Sequence, residues 1–414
     1  MTKSLFTQTL VLSLLVALLL NNKLYSQNES GPGMGDILGQ RVNTITTAVP
    51  FLMIAPDARS GAMGDAGVST SPDVNSMHWN PAKYAFIDKD MGLALNYTPW
   101  LRTLVPDINL SYLSGFKRID ELQTVAASLV FFSLGDIQFT DEAGMPQGTY
   151  RPSEFALDVA YARKLGENIS GAIAMRYIHS NLTQGQDVGS METRPGRALA
   201  ADVSAYYQRE LDWRRTPAMF AAGINISNIG NKISYSDDIN ANFIPINLRI
   251  GPTLTLMLDD FNTLAFTLDL NKLLVPTPPI YARGENNAPL VDDDGNYIIA
   301  EGSDPNRGVV SGMFGSFTDA PGGFSEELNE ITYSAGMEYW YDNQFAIRAG
   351  YFHEHETKGN RKFFTLGIGL KYTVFGLDFS YIVPVAQRSP LENVFRISLG
   401  FDFDALSAQQ NRGQ

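Results

Sequence analysis

The chain has no cysteine and only four histidines in 414 residues. The first absence removes disulfides, thiol nucleophiles, cysteine metal sites and a cysteine-linked lipid anchor. The second leaves few groups for general-base chemistry near neutral pH. Basic residues are outnumbered, 31 against 44 acids, giving a formal net charge of −13. A basic stripe for nucleic acid is therefore missing, and no nucleic-acid partner is expected. After the N-terminus no apolar run approaches the ~20 residues of a spanning helix.

What is present begins with MTKSLFTQTLVLSLLVALLLNNKLYSQ. Lys3 supplies a positive start, Leu10 to Leu20 an apolar stretch, and Tyr25-Ser26 a cleavage site before Gln27. That pattern is a secretory signal peptide over residues 1–26. An exported chain without disulfides or spanning helices is either a soluble extracytoplasmic protein or crosses a membrane as strands.

The stretch Thr47 to Phe86 has neither a strand nor a helix period. Glycines at 61, 64 and 67 and prolines at 50, 56, 72 and 81 break any long element. It is nonetheless apolar and varied, unlike a disordered tract. A compact, turn-rich segment of this kind needs an enclosure, so residues 27–90 are read as a luminal plug or hatch.

From residue 91 to 403 the pattern changes to about fourteen strands with a two-residue alternation. They start near Met91, Pro106, Leu122, Ser153, Asn168, Arg197, Pro217, Pro245, Asn262, Glu330, Asn343, Arg361, Phe375 and Asn393. Most are near the ~9–11 residues of a tilted membrane strand. In the fourth, Phe155, Leu157, Val159 and Tyr161 alternate with Ala156, Asp158 and Ala160. The mid-strand charges Asp158, Arg176, Asp202, Arg249, Asp269, Glu338, Arg348, Lys371, Asp378 and Arg396 all share the parity of the small and polar residues. A basic side chain on the lipid face costs ~2–4 kcal/mol at mid-depth, so this parity belongs to a lumen. Five acids and five bases there suit mutual pairing or a plug rather than a channel selective for one sign.

A soluble β-sandwich also alternates. Long strands, aromatics gathered at strand ends (Tyr339 to Tyr341, Tyr372 to Phe375, Phe401, Phe403) and connections of alternating length favour the all-β transmembrane antiparallel barrel instead. Short turns follow the even strands. Long loops follow odd ones, near 134–152, 180–196, 229–244 and 274–329. Both barrel ends then face the periplasm, with a polar tail at 404–414. From 281 to 330 the chain carries ten acids against Arg283 and Arg307. This loop reads either as an acidic docking surface or as simple solubility, and VDDDGNYIIAEG within it as a small hairpin.

Catalytic and metal patterns are weak. The four histidines are His78 in the plug, His179 at an outer strand end, and His353 and His355 at another. A barrel lipase needs one of them beside a serine on a neighbouring strand face. His353 and His355 share a face but lack a clear third ligand. DDDGN at 292–296 lacks the closing Glu of a calcium loop, position 303 being Ser. Gly61-x-x-Gly64-x-x-Gly67 follows no strand, so it is no dinucleotide fingerprint; close backbone packing explains it. No cofactor is expected.

The run SGAMGDAGVSTSPDVNSMHWNPAKYAF, Ser60 to Phe86, with TAVPFLMIAPDAR before it and fourteen strands after it, resembles the PorV proteins of the Bacteroidetes type IX secretion system. The Gly-rich run ending in Asn80-Pro81-Ala82 is shared more loosely with FadL-like barrels, in which an N-terminal hatch fills fourteen strands. The resemblance implies an outer-membrane, cell-surface protein without enzymatic activity. It implies binding of the C-terminal signal domain of secreted cargo as it leaves the SprA (Sov) translocon, and transfer to the attachment complex with the PorU sortase. It marks Arg59, Gly61, Gly64, Asp65, Gly67, His78, Trp79, Asn80 and Pro81 as plug positions, read as structural first, and leaves cargo-contacting residues unassigned. Outer-membrane lipid is the remaining expected partner. The alternative function is FadL-like transport of hydrophobic small molecules, which calls for a continuous apolar tunnel past the hatch.

Overall fold

The computed structural model describes residues 42–403 apart from 104, 106, 141–144, 184–192, 237–240, 285–287, 294 and 388. The signal peptide expected at 1–26, the first part of the expected plug at 27–41 and the tail expected at 404–414 lie outside the described residues. From Asn43 onward the chain is a single unit.

Fourteen antiparallel strands close into a barrel. They are β1 (Met91–Pro99), β2 (Asn109–Arg118), β3 (Gln123–Ser133), β4 (Ser153–Lys164), β5 (Ile169–Asn181), β6 (Gly196–Trp213) and β7 (Thr216–Gly230). The second half comprises β8 (Asn247–Met257), β9 (Asn262–Leu273), β10 (Thr332–Tyr341), β11 (Phe345–His353), β12 (Lys362–Tyr372), β13 (Phe375–Pro384) and β14 (Phe395–Asp402). Each strand pairs with its sequence neighbour, and β14 returns to β1, with Gly92 opposite Asp402 and Tyr97 opposite Ile397.

Burial runs opposite to that of a soluble sandwich. In β4, Leu157 and Val159 are 48% and 57% exposed, whereas Ala156 and Asp158 are at most 2% exposed. Large apolar side chains outward and small or charged ones inward is the pattern of a wall facing lipid. No described helix is long and apolar enough to cross a membrane.

One end of the barrel carries tight turns. Asp342 and Asn343 both have positive φ (52° and 50°), as do Arg214 and Arg215 (52° and 74°). Two consecutive left-handed residues fit the right-handed twist of a hairpin. The other end carries the long connections. That after β3 contains a short hairpin, Ile137–Thr140 with Pro146–Tyr150. Within 274–331, Val291 bridges Tyr297 around a turn capped by Asp292, whose carboxylate accepts from the Asn296 N–H at 2.8 Å.

One detail differs from the sequence reading. Trp340 is not part of an outward aromatic belt: it is buried, and its ring lies under Lys371 Nζ (4.4 Å) and the Arg348 guanidinium (5.2 Å). It has the inward parity of Glu338 two residues earlier. Pro252 stands mid-strand in β8, where pairing to β9 lapses between Ile250 and Thr253. A residue without an N–H is tolerated at such a gap.

Residues 43–87 pack against the inward faces of the strands. Four short helical turns punctuate them: Pro50–Met53, α1 (Ala58–Gly61), α2 (Ser76–Trp79) and Pro81–Phe86. Phe51 and Leu52 join Tyr112, Val130, Phe132 and Ile178 in one apolar cluster. Met77, Tyr84 and Phe86 join Phe116 and Tyr206 in another.

Candidate functional site: the seated plug and the long-loop face

The plug is held mainly by polar inward residues that receive its backbone. The Ser398 hydroxyl accepts from Ala58 N–H at 2.8 Å. The Thr365 hydroxyl accepts from Gly64 N–H and donates to the Ala62 carbonyl, both at 2.8 Å. One Asp269 oxygen takes the N–H groups of Gly67 (2.7 Å) and Val68 (2.9 Å). Asn225 and Ser170 donate to the carbonyls of Trp79 (3.0 Å) and Ala82 (2.7 Å). A turn-rich segment cannot satisfy its own backbone groups, so a buried one must borrow partners.

Inside the plug, Asp57 caps α1 by accepting from Ser60 N–H (2.8 Å) and also accepts from the Trp79 indole (2.6 Å). Burial, with Asp73 nearby, pushes the Asp57 carboxyl up. Asn80 caps the following turn, accepting from Ala82 N–H (3.0 Å) while donating to the Val68 carbonyl (2.9 Å). Pro81 occupies the first turn, where no N–H is required. The glycines mark close approaches. A Cβ on Gly61 would meet the Arg396 side chain, and one on Gly67 the Trp79 ring. Gly67 thus packs its Cα against the Trp79 ring of the plug while its N–H meets the wall at Asp269.

The luminal charges form two networks. Arg59 bonds Glu338 through Nε (2.9 Å) and Nη2 (2.7 Å) and Asp73 through Nη1 (2.8 Å). Glu338 also accepts from Arg348, which reaches Asp378 at 2.7 Å. The second sits on the opposite wall: Arg176 lies between Asp158 and Asp202, with Asn228 beside it. Arg396 pairs with Asp65 (3.1 Å) and donates to the Ala55 carbonyl (3.0 Å). Arg249 has no ion pair among the described residues. It donates to Asn271 (3.0 Å) and the His78 carbonyl (2.9 Å) and lies 4.7 Å over the Trp79 ring. Burial, then the charges of Arg249, Arg176 and Arg396, hold the His78 imidazole well below its ordinary range. Lys371 is the exposed member of the set, at the short-turn mouth.

Among the described residues two roomy cavities flank the plug. One of about 460 Å³ opens at the short-turn end between Arg59, Glu338, Trp340, Lys371, Phe375 and Asp402. One of about 300 Å³ lies toward the long loops between Asp65, Trp79, Arg249, Phe352, Glu354 and Lys358. They share no lining residue.

The long-loop face holds what the sequence did not disclose. Lys272, at the end of β9, bonds Glu327 (2.8 Å) and Glu330 (2.5 Å), and Glu330 also accepts from Lys358 at 3.0 Å. Glu326 accepts from Lys358 and from Asn43 (3.0 Å). Burial raises the Glu326 carboxyl, but these bonds and one from Gly322 N–H hold it below its ordinary range. Three of the ten loop acids therefore fasten α4 (Phe324–Asn329) to Lys272 of β9, to Lys358 beyond β11 and to Asn43 of the plug instead of facing solvent. Outside this clasp, Val310, Phe314, Phe317, Phe324 and Leu328 stand exposed. His353 meets Tyr351 and His355 meets Thr357. Nε2 of His78 and Nδ1 of His179 are buried without a hydrogen-bond partner. Among the described residues no three His, Asp or Glu stand together as metal ligands.

A family model, type IX secretion system protein PorV, matches residues 38–280, more than half of the chain. The chain belongs to the PorV family. With the closed barrel, this makes it an outer-membrane protein. No curated protein sequence gives a match. Similar solved structures include the CymD monoaromatic hydrocarbon channel (14% identity, TM-score 0.45, covering 84% of this chain and 98% of that one). The Pseudomonas putida toluene transporter TodX is similar at 12% identity and TM-score 0.45, with 87% and 98% covered. A Pseudomonas aeruginosa FadL homologue follows at 12% identity and TM-score 0.43, with 87% and 99% covered. The PorV match takes in the plug and the barrel from β1 to β9.

Proposed function

We propose that this protein is a non-enzymatic carrier of type IX secretion. It takes the C-terminal signal domain of exported cargo from a SprA (Sov)-type translocon at its long-loop face and delivers it to the PorU-containing attachment complex. The observation that carries the reading is the PorV match across plug and barrel. The seated plug supports it, because a protein that hands over folded cargo outside the membrane gains nothing from an open pore. The exposed apolar side chains of α3 (Val309–Gly315) and α4 supply contact area on the same face.

The transporter alternative calls for a continuous apolar tunnel. The two cavities share no lining residue, and both carry ionised walls. A hydrolase calls for a serine at a histidine, whereas His353 and His355 contact Tyr351 and Thr357. The test is deletion of the gene. Signal-bearing cargo is expected to accumulate unattached or unexported, and normal surface display in the deletion strain would overturn the proposal.

A further inference from the structure

A small pattern occurs twice on the outer wall, and neither the plug nor the loop clasp uses it. Tyr177-x-His179 stands at the long-loop end of β5 and Tyr351-x-His353 at the same end of β11. Strand register completes each in the same way. The preceding strand places an aromatic opposite the histidine, Phe155 in one case and Tyr333 in the other. The following strand places a cation opposite it, Arg197 or Lys362. Two separate parts of the wall thus carry one three-strand row: aromatic, imidazole, cation.

Both rows lie on the outward face. His179 alternates with buried Ile178 and Ser180, and His353 with buried Phe352 and Glu354. Rings pack within the rows: Phe155 on His179 (5.1 Å) and Tyr333 on His353 (6.2 Å). Tyr177 lies beside Phe155 (6.1 Å) and Tyr351 beside His353 (6.2 Å). Exposed Leu199 and Phe364 follow two residues below the cations, toward the middle of the wall. Long loops mark the outer end of bacterial barrels, so the rows sit where the outer leaflet meets water.

Neither Arg197 nor Lys362 has an ion pair among the described residues. Directly opposed residues on adjacent strands have Cβ atoms ~5 Å apart, so one anionic group can span the imidazole and the cation. A phosphate can accept from both an imidazole N–H and a cation at once. An aromatic and aliphatic wall immediately below suits acyl chains rather than a soluble anion. We propose that each row binds the phosphorylated headgroup of an outer-leaflet lipid, with its acyl chains lying along the wall beneath. This does not rest on the cargo reading.

The test titrates the purified full-length protein in detergent with lipid A, with dephosphorylated lipid A, and with inorganic phosphate. Bound lipids are counted by native mass spectrometry. Each of Arg197→Gln and Lys362→Gln is expected to weaken one class of bound lipid A about fivefold, the loss of one cation at a headgroup. Arg197→Lys and Lys362→Arg are expected to retain it. Wild-type occupancy in the double Gln variant, or equal binding of dephosphorylated lipid A, would overturn the proposal. Inorganic phosphate displacing no lipid fits a lipid site. Phosphate that fills both rows by itself overturns the lipid assignment in favour of a free-anion site.

Discussion

The Arg59 guanidinium, on the plug, grips the Glu338 carboxylate, on β10, through two parallel hydrogen bonds of 2.9 and 2.7 Å. Both side chains are nearly excluded from water. Glu338 in turn holds Arg348, so the plug and two strands share one carboxylate. Glu338→Gln leaves two guanidinium groups short of a counter-charge, a loss of ~3–5 kcal/mol for breaking a buried pair. The expected readout is ion leakage through the barrel in planar bilayers where the native protein is closed. Replacing the whole network, Asp73 and Asp378 included, with apolar residues of similar volume should recover much of the seal.

A second prediction concerns the closest approach of plug to wall. Gly64 has φ +72°, and a Cβ there would lie 2.6 Å from the Tyr351 carbonyl oxygen. Across the gap, a Cβ on Gly350 would come within 2.1 Å of Gly64 N. Backbone strain and overlap both oppose Gly64→Ala, which should cost more than the ~0.4–1 kcal/mol at stake in an unstrained exchange. Gly350→Ala meets only the overlap. Heat-induced mobility shift on gels should fall for both variants, further for Gly64→Ala.

The clasp on the long-loop face gives a third. Lys272→Met removes the cation shared by Glu327 and Glu330, leaving the buried Glu327 carboxylate without an ion pair and Glu330 with Lys358 alone. Limited proteolysis around α4 should accelerate while the barrel stays folded. Adding Glu327→Leu and Glu330→Leu should slow the cleavage again. Unchanged cleavage in Lys272→Met would mean that the clasp does not hold the loop.

The fourth is a pH dependence. A histidine in an unfolded chain titrates near ~6.5, and His78 lies well below that when seated. Between the two values the released plug takes up a proton and the seated plug does not. Its contribution is complete above about pH 6.5 and declines as pH falls toward the seated value. Asp57, shifted upward, works in the opposite direction. The comparison with His78→Gln isolates the histidine: protease protection of the plug should fall less on acidification in the variant than in the native protein.

Most of this architecture was legible because strands have period two. Each observed strand begins within three residues of its expected start, and Asp158, Arg176 and Arg396 are buried as their parity indicates. Trp340 was misplaced by its position at a strand end, although Glu338 two residues earlier carried the correct face. Lys272 was beyond reach. It shares the outward parity of Leu268 and Leu270, yet it is buried because residues 55 and 58 positions later fold over it. The acidity of the 281–330 loop was plain as composition, but composition does not say which carboxylates turn inward. The Tyr-x-His repeat was visible in the letters. Its cations come from other strands, so only register brings them together.

The final strand completes the stopper's socket as well as the cylinder. Ser398 and Arg396 on β14 receive the backbone near Ala58 and Ala55, some 340 residues earlier, on the strand that also zips to β1. Insertion therefore has one late event rather than two. Until the C-terminal strand arrives, the wall has a seam and the stopper lacks part of its socket, so a chain that stalls short of β14 is both unsealed and uncorked.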